Sequence, residues 1–195
     1  MDNATRSERT RSAVIQAALA IIARDGPGRL TLDAIARECG ISKGALTHQF
    51  RSKAAVLKAL LEHQTAQFEA FARDYAEAHA EQAQPRLAAQ IATMREALSG
   101  PSSVAFALFG ALAEEPALLA PMRALSATKL EVLRGEAADA DLATLRWLAA
   151  RGLLFGALLG VCPLSEAERD RLFEQLLEER RWAAPPAARP ASRAG

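Results

Sequence analysis

The spacing of hydrophobic residues along the chain predicts an all-α protein. Near the N-terminus, apolar residues from Val14 to Ile22 recur at intervals of three and four, which places them on one face of a helix. Similar apolar stripes return in the later segments, separated by breaks rich in Gly, Pro and Ser, and no segment has the pattern of a strand. The sequence therefore predicts about nine helices, followed by a Pro- and Ala-rich tail over residues 183–195 that we expect to be disordered.

Start and stop signals set approximate bounds for these helices. Residues 1–8 are expected to form a disordered arm, and Gly26-Pro27 should end the first helix. Thr31, Ser42 and Ser52 are candidate N-caps, because their side-chain oxygens can accept hydrogen bonds from the first free amides of a helix. Beyond the two short helices, the predicted spans are about 9–24, 53–81, 85–98, 103–113, 116–135 (with a bend at Pro121), 139–161 and 165–181.

The stretch LDAIARECGISKGALTHQF, residues 32–50, predicts two short helices joined by a turn at Gly40. Glycine adopts a left-handed backbone without steric cost, as such a turn requires. The inner side of the second helix is apolar, whereas Ser42, Lys43, Thr47 and His48 lie on its outer side. A short polar helix held out in this way is typical of a helix-turn-helix that reads DNA. The alternative is an αα-hairpin within an ordinary helical bundle.

The charge distribution indicates a polyanionic partner for the N-terminal part of the chain. The chain has 195 residues, half of them hydrophobic, and a formal net charge of +1. Residues 1–53 nevertheless contain nine Lys or Arg against five Asp or Glu. The two cysteines, Cys39 and Cys162, have no metal-type spacing, and the polar N-terminus has no apolar signal core. We therefore expect a cytoplasmic, soluble protein with reduced thiols and no membrane partner.

Residues from about Arg9 to Leu61 resemble the DNA-binding domain of the TetR (tetracycline-repressor-type) family of bacterial regulators. The resemblance covers roughly a third of the chain and rests on these positions: Ile15-x-x-Ala18, Gly26, Thr31-x-x-x-Ile35-Ala36, Gly40-Ile41-Ser42-x-Gly44-x-Leu46, Phe50-x-Ser52-Lys53 and Leu57. It implies a DNA-binding domain over residues 8–68, with the helix-turn-helix at about 31–50. It also implies a C-terminal domain for ligand binding and dimerisation over residues 69–182.

The resemblance assigns DNA contacts to the two short helices and to the start of the fourth. The implied residues are Thr31, Ser42, Lys43, Gly44, Ala45, Thr47, His48 and Lys53. Lys43 and His48 are the longest groups of the second short helix and the best candidates for base edges, whereas Lys53 suits a phosphate. The chain departs from the family at Thr47, where a tyrosine is usual, and this departure changes the expected base preference.

A regulator of this family couples DNA release to a small molecule bound in its C-terminal domain. Large apolar residues there are together candidate pocket walls, although any single one could instead belong to the core: Phe68, Phe71, Met94, Leu98, Phe106, Phe109, Trp147 and Phe155. They favour an apolar or amphipathic effector, and Arg95 or Arg146 could meet an acidic group on it.

Glycines on the eighth predicted helix suggest close approach of another helix. Gly152, Gly156 and Gly160 recur every four residues, and the ninth predicted helix offers Leu172 and Leu176. By resemblance, these two helices from each subunit form the interface of a homodimer that binds a palindromic operator on double-stranded DNA. The close approach could instead lie within the subunit's own core.

Two functions other than repression are an enzyme and a helical partner-binding protein. Catalysis is disfavoured, because GxSxG, P-loop and nucleotide-binding glycine patterns are missing and the three histidines lack metal-type partners. Nothing in the sequence indicates a metal or other cofactor. A helical partner-binding protein that has lost sequence-specific DNA binding is the second rival, motivated by Thr47.

Overall fold

The chain folds into helices throughout the part that the computed structural model describes, which is residues 3–100, 117 and 119–182 (side chains from residue 7). Eight α-helices lie there: α1 (Asn3–Asp25), α2 (Leu32–Cys39), α3 (Lys43–Gln49), α4 (Lys53–Ala78), α5 (Pro85–Glu96), α6 (Leu119–Glu136), α7 (Ala140–Leu158) and α8 (Glu166–Leu177). Short 3-10 helices cover Pro27–Arg29 and Glu179–Trp182. The all-α prediction is confirmed, while the predicted helix at 103–113 and the tail at 183–195 lie outside the described residues.

The predicted N-caps are confirmed. The side-chain oxygens of Thr31, Ser42 and Ser52 each accept a hydrogen bond of 3.1 Å from the backbone amide three residues later. Ser165 forms a reciprocal capping box with Glu168 at the start of α8. Each cap satisfies an amide that the first turn of a helix leaves without a partner, so these starts are fixed by local chemistry.

The first helix begins earlier than predicted. The expected disordered arm is wrong from Asn3 onward, since α1 starts there. A tertiary contact holds this extension, because the side-chain amide of Gln49 on α3 donates to the hydroxyl of Ser7 at 2.8 Å.

Four helices end earlier than predicted, α5 among them at Glu96, and Pro121, predicted as a bend within its helix, lies near the start of α6 as described from Leu119. α4 ends at Ala78, where the Nδ1 atom of His79 lies 2.8 Å from the carbonyl oxygen of Tyr75. α7 ends at Leu158 because Gly160 turns left-handed. α8 ends at Leu177, and the guanidinium of Arg146 takes the carbonyl of Leu176 that a longer helix would use.

Two separate apolar cores organise the described helices. The first joins α1, α2, α3 and the start of α4, with Ile22, Ile35, Leu46, Phe50 and Leu60 almost completely buried. The second joins α5, α6, α7 and α8 through residues that include Leu87, Ile91, Leu133, Trp147 and Phe173.

Helix α4 connects these two cores. Its first two turns carry Val56 and Leu60 into the first core, and its later turns pack against α5. Over the described residues, no helix combines the length and hydropathy needed to cross a membrane.

Candidate nucleic-acid interface and ligand cleft

The turn between α2 and α3 fixes how the second helix is presented. Gly40 has φ +67°, and its amide donates to the carbonyl of Arg37 at 3.2 Å. The next amide, of Ile41, donates to Ala36 at 3.0 Å, which closes the end of α2. Ile35 and Leu46 are completely buried on either side of this turn. The backbone of α3 is therefore held rigidly by its inner face.

The outer face of α3 is exposed along its whole length. Lys43, Gly44, Ala45, Thr47 and His48 are all exposed, as the sequence predicted for a face that reads DNA. A Cβ atom added to Gly44 would meet only the Ser42 hydroxyl, at 3.9 Å. Packing within the chain therefore does not explain the glycine, whereas close approach of another molecule would.

Some of the polar groups predicted to contact DNA already have partners within the chain. The hydroxyl of Thr47 donates to the carbonyl of Lys43 one turn earlier. The Nζ atom of Lys43 forms an ion pair with Asp33 on α2. The hydroxyls of Thr31 and Ser42 accept capping hydrogen bonds, which leaves their O–H donors available to a phosphate.

Lys53 stands at the first position of α4, directly after the N-cap Ser52. A helix N-terminus attracts anions because its first amides point outward with the positive end of the helix dipole. The lysine adds a full charge at the same place, and no ion pair occupies it within the described residues. This arrangement suits a phosphate contact that does not depend on the base.

Two residues of the first helix hold α3 and α4 rather than reach outward. The hydrogen bond from Gln49 to Ser7 links α3 to α1, a contact that the sequence analysis missed. The spacing of Gln49 from buried Leu46 was the available signal, since residues three apart share a helix face. Arg11 pairs with Glu62 on α4 at 2.8 Å, and its guanidinium lies 5.6 Å from the ring centroid of Phe50.

A cleft of about 440 Å³ opens between α4, α5 and α8. Phe71 and Tyr75 of α4 form one wall, with their ring centroids 6.2 Å apart. The remaining lining residues come from α5 and the turn after it, and from α8: Ala92, Arg95, Glu96, Leu98, Ser99, Glu166, Arg169, Asp170 and Leu177. Its volume falls in the range of small-molecule sites in proteins.

The predicted pocket residues do not all meet in this cleft. Phe71 and Leu98 line it, whereas Met94 and Trp147 are buried in the second core. Phe68 is half-buried on α4 outside the lining, and Phe106 and Phe109 lie outside the described residues.

Phe155 lies against Arg151 instead, with the guanidinium 5.3 Å from its ring centroid and 4.6 Å from that of Trp147. Burial between the rings lowers the pKa of Arg151 from its ordinary value, because an apolar environment disfavours the charged form.

Arg146 is a structural clamp and not a free group for a ligand. Only 3% of the residue is exposed, and its guanidinium donates to Gln84 at 2.8 Å and to the carbonyl of Leu176 at 2.6 Å. Burial lowers the pKa of Arg146, while the charge of Glu179 opposes that change. Arg95 lines the cleft, but it is paired with the carboxylates of Asp170 and Glu174 on α8.

The residues predicted for the dimer interface divide between an exposed face and the subunit interior. Gly152 is exposed, and a Cβ atom there would meet no described residue within 4 Å. Gly160 lies beyond α7 and closes it, with its amide donating to Ala157 at 3.1 Å. A Cβ atom on Gly156 would lie 3.3 Å from that of Cys162 in the same chain. Leu176 is buried in the second core, and Leu172 is half-buried.

A different set of residues makes α7 apolar on its outer side. Leu145 and Leu148 are 63% and 50% exposed, the C-cap Leu159 is 46% exposed, and with Gly152 they follow one helix face. Large exposed apolar faces of this kind are typical of protein interfaces.

Family models of known proteins match both the N-terminal and the C-terminal part of the chain. Residues 14–60 match the family model of bacterial regulatory proteins of the tetR family, and residues 84–181 match the model of the tetracyclin repressor-like C-terminal domain. The first family consists of transcription regulators and not of enzymes.

Two curated relatives from Pseudomonas putida match the N-terminal part. The chain is 41% identical over 58 residues to the HTH-type transcriptional regulator SrpR and 40% identical over 58 residues to the uncharacterized HTH-type transcriptional regulator TtgW. Each match covers 30% of this chain, 27% of SrpR and 43% of TtgW. The matched stretch thus spans less than half the length of either relative.

Solved structures share the fold over nearly the whole length. A TetR-family regulator from Rhodococcus sp. has a TM-score of 0.63 at 20% identity, covering 85% of this chain and 96% of its own. The multidrug binding protein EbrR complexed with imidazole has a TM-score of 0.62 at 21% identity, covering 92% and 93%. At identities of 20% and 21%, these comparisons show a shared fold and nothing more. The two family models together extend over most of the described chain, and we conclude that the protein belongs to the TetR family of bacterial regulators.

Proposed function

We propose that the chain is a DNA-binding transcriptional regulator, a homodimeric repressor that leaves a palindromic operator when a small amphipathic molecule binds. The observation that carries this proposal is the exposed polar face of α3, held out by the buried residues Ile35 and Leu46. Within the described residues the outer face of α3 takes no part in either apolar core, so packing does not account for so rigid a presentation of a short polar helix. A reader of the DNA major groove requires it.

The DNA-binding unit in this proposal is residues 8–68. Lys43 and His48 would reach base edges, and Thr47 would offer its methyl group to a thymine. Thr31 and Lys53 would contact phosphates, supported by the N-termini of α2 and α4. Ser42, Gly44 and Ala45 would let the backbone of α3 come close to the groove.

The effector site in this proposal is the cleft between α4, α5 and α8. Phe71 and Leu98, both predicted as pocket walls, support it through their place in the lining. EbrR, which shares the fold, has been solved in complex with ethidium, at a TM-score of 0.58 and 21% identity. That likeness supports a small-molecule site in the C-terminal helices of this chain.

Helix α4 would carry the signal from the cleft to the DNA. It holds Lys53 at one end and Phe71 five turns later, a separation of about 27 Å at the rise of an α-helix. Movement of Phe71 on ligand binding would tilt α4 and thereby change the position of α3 through the first core. Two copies of α3 in a dimer would then lose the spacing that the operator requires.

The exposed apolar face of α7 supports the dimer. Leu145, Leu148, Gly152 and Leu159 would pack against the same face of a second copy, which is the self-complementary contact of a two-fold dimer. Repression is proposed because it is the usual mode of this family.

The test is a gel-shift titration of the full-length protein with the DNA upstream of its own gene. We expect binding that weakens steeply with salt and exceeds binding to random DNA of the same length. A double variant, Lys43→Ala with His48→Ala, should lose this preference. The control variant Arg180→Ala removes one positive charge from the C-terminal 3-10 helix and should bind as the parent does. Equal binding to all DNA by the parent protein would favour the partner-binding alternative and overturn the proposal.

A further inference from the structure

We propose that the cleft between α4, α5 and α8 selects organic cations with an aromatic body, over neutral or anionic molecules of the same shape. This inference rests on the proposed function, because it names the class of the effector. It is carried by the aromatic wall of the cleft and by two carboxylates of its lining that have no cationic partner within the described residues.

The aromatic wall is fixed in position by neighbouring side chains. The rings of Phe71 and Tyr75 are tilted by 30° with centroids 6.2 Å apart, and both residues are half-buried. The ring of Tyr75 also stacks on that of His79, at a centroid distance of 4.0 Å and an angle of 13°. Aromatic faces attract cations through their quadrupole, most strongly where water is partly excluded.

The two arginines of the cleft are already engaged. The Nε atom of Arg95 lies 3.5 Å from Asp170, and its Nη2 atom lies 3.5 Å from Glu174. Arg169 donates to the carbonyl of Leu164 at 2.8 Å, at the turn before α8. Arg95 is therefore paired with two carboxylates of this chain, whereas the hydrogen bond to a carbonyl orients the guanidinium of Arg169 without cancelling its charge.

Two carboxylates of the cleft lack a cationic partner within the described residues. Glu96 accepts a hydrogen bond of 3.1 Å from the hydroxyl of Ser99, and no Lys, Arg or His nitrogen of that part of the chain lies within 4.0 Å of either Glu96 or Glu166. The lining carries two arginines and three acids, so its formal charge is negative. An anionic ligand would be repelled here, and a cation would find both charge and aromatic contact.

The size and remaining walls define the body of such a molecule. The cleft measures about 440 Å³, and Ala92, Leu98 and Leu177 add apolar surface to the rings. A molecule of two fused rings with one ammonium group fits this volume. A metal ion does not suit the cleft, since no group of three potential ligands converges anywhere in the described residues.

The experiment compares three probes that share a 2-naphthylmethyl body by isothermal titration of the full-length protein. The probes are (naphthalen-2-ylmethyl)trimethylammonium, its neutral carbon isostere 2-neopentylnaphthalene, and the anion naphthalene-2-acetate. We expect the cation to bind at least about tenfold tighter than either of the others. The double variant Glu96→Gln with Glu166→Gln should lose most of this preference, whereas the control Glu131→Gln, on an exposed position of α6, should keep it.

The outcomes separate this inference from the proposed function. Failure of the cation to bind, equal binding of the neutral isostere, or an unchanged preference in the double variant would each overturn the inference. Circular dichroism melts of the variants establish that they are folded, and both substitutions preserve side-chain shape at accessible positions. Operator binding is measured in parallel without any probe. Intact operator binding without cation preference would remove only the inference, whereas cation binding without operator binding would remove the proposed function.

Discussion

The ammonium group of Lys43 on α3 lies 2.9 Å from Oδ1 of Asp33 on α2. Both side chains are about two-thirds exposed, at 65% and 64%. An exposed ion pair of this kind contributes about 0–1 kcal/mol, so it breaks easily when a better partner arrives. The lysine we assign to a base edge is thus held beside the turn until DNA competes for it.

Replacement of Asp33 by Asn should make the protein less selective. The change frees Lys43 and removes a negative charge beside the proposed DNA face, so binding to random DNA should tighten severalfold at low salt. The ratio of operator affinity to random-DNA affinity should fall. Fluorescence anisotropy with both DNA sequences measures the ratio, and Glu38→Gln is the control because Glu38 pairs with Arg24 instead. An unchanged affinity for random DNA would exclude this role of Asp33.

Lys53→Ala should weaken binding to every DNA sequence about equally. Its place at the first position of α4 suits a phosphate, which carries no base information. The slope of the logarithm of affinity against the logarithm of salt should fall by about one unit. Salt titrations with operator and random DNA give both quantities. If only operator binding weakened, Lys53 would be contributing to base recognition and the assignment to a phosphate would be wrong.

His48→Ala should relax base preference at one or two positions of the operator. The side chain is exposed on the outer face of α3, and loss of a specific base contact costs about 1–3 kcal/mol at that base pair. Selection of binding sites from a randomised operator compares the variant with the parent. Identical base preferences would place His48 outside the contact.

Arg146→Met should destabilise the fold without a direct effect on DNA contacts. The guanidinium joins Gln84, before α5, to the carbonyl of Leu176 near the end of α8, and it lies 5.5 Å from the ring centroid of Trp182. Methionine fills much of the space but leaves both acceptors without their donor, at a cost of about 1–3 kcal/mol each. Urea unfolding at neutral pH should therefore show a clearly lower free energy of unfolding for the variant. The exposed control Arg180→Met should change stability by less than about 0.5 kcal/mol.

Gly152 and Gly156 should respond differently to leucine. Among the described residues of one subunit a side chain at Gly152 meets open space, so Gly152→Leu should fold normally and weaken only the proposed dimer. At Gly156 a Cβ atom would already lie 3.3 Å from that of Cys162, so Gly156→Leu should destabilise the subunit itself, by about 1–3 kcal/mol. Sedimentation equilibrium and thermal melts distinguish the two effects. A Gly152→Leu variant that remains a tight dimer would remove this glycine from the interface.

The sequence by itself determined the features that depend on neighbours a few residues away. Thr31, Ser42 and Ser52 cap their helices through hydrogen bonds to the amide three residues on, so the residue type and its position were sufficient. Gly40 ends α2 for the same local reason, because its left-handed backbone closes the last turn. The apolar spacing also predicted the inner faces of α1, α2 and α3, since each of these helices has a single apolar side.

Only the tertiary structure decided which role each apolar, glycine or charged residue takes when the sequence allows several. Phe71 and Trp147 are equivalent candidates in the sequence, yet one lines the cleft and the other is buried in the core. Gly160 shares the spacing of Gly152, but it lies past the end of α7 and caps it.

Arg146 could have faced a ligand, and instead it binds a carbonyl thirty residues away. These outcomes depend on which helices, distant in the sequence, pack against each face of a long helix. A helix such as α7, which is apolar nearly all round, leaves that division to the packing of the whole molecule.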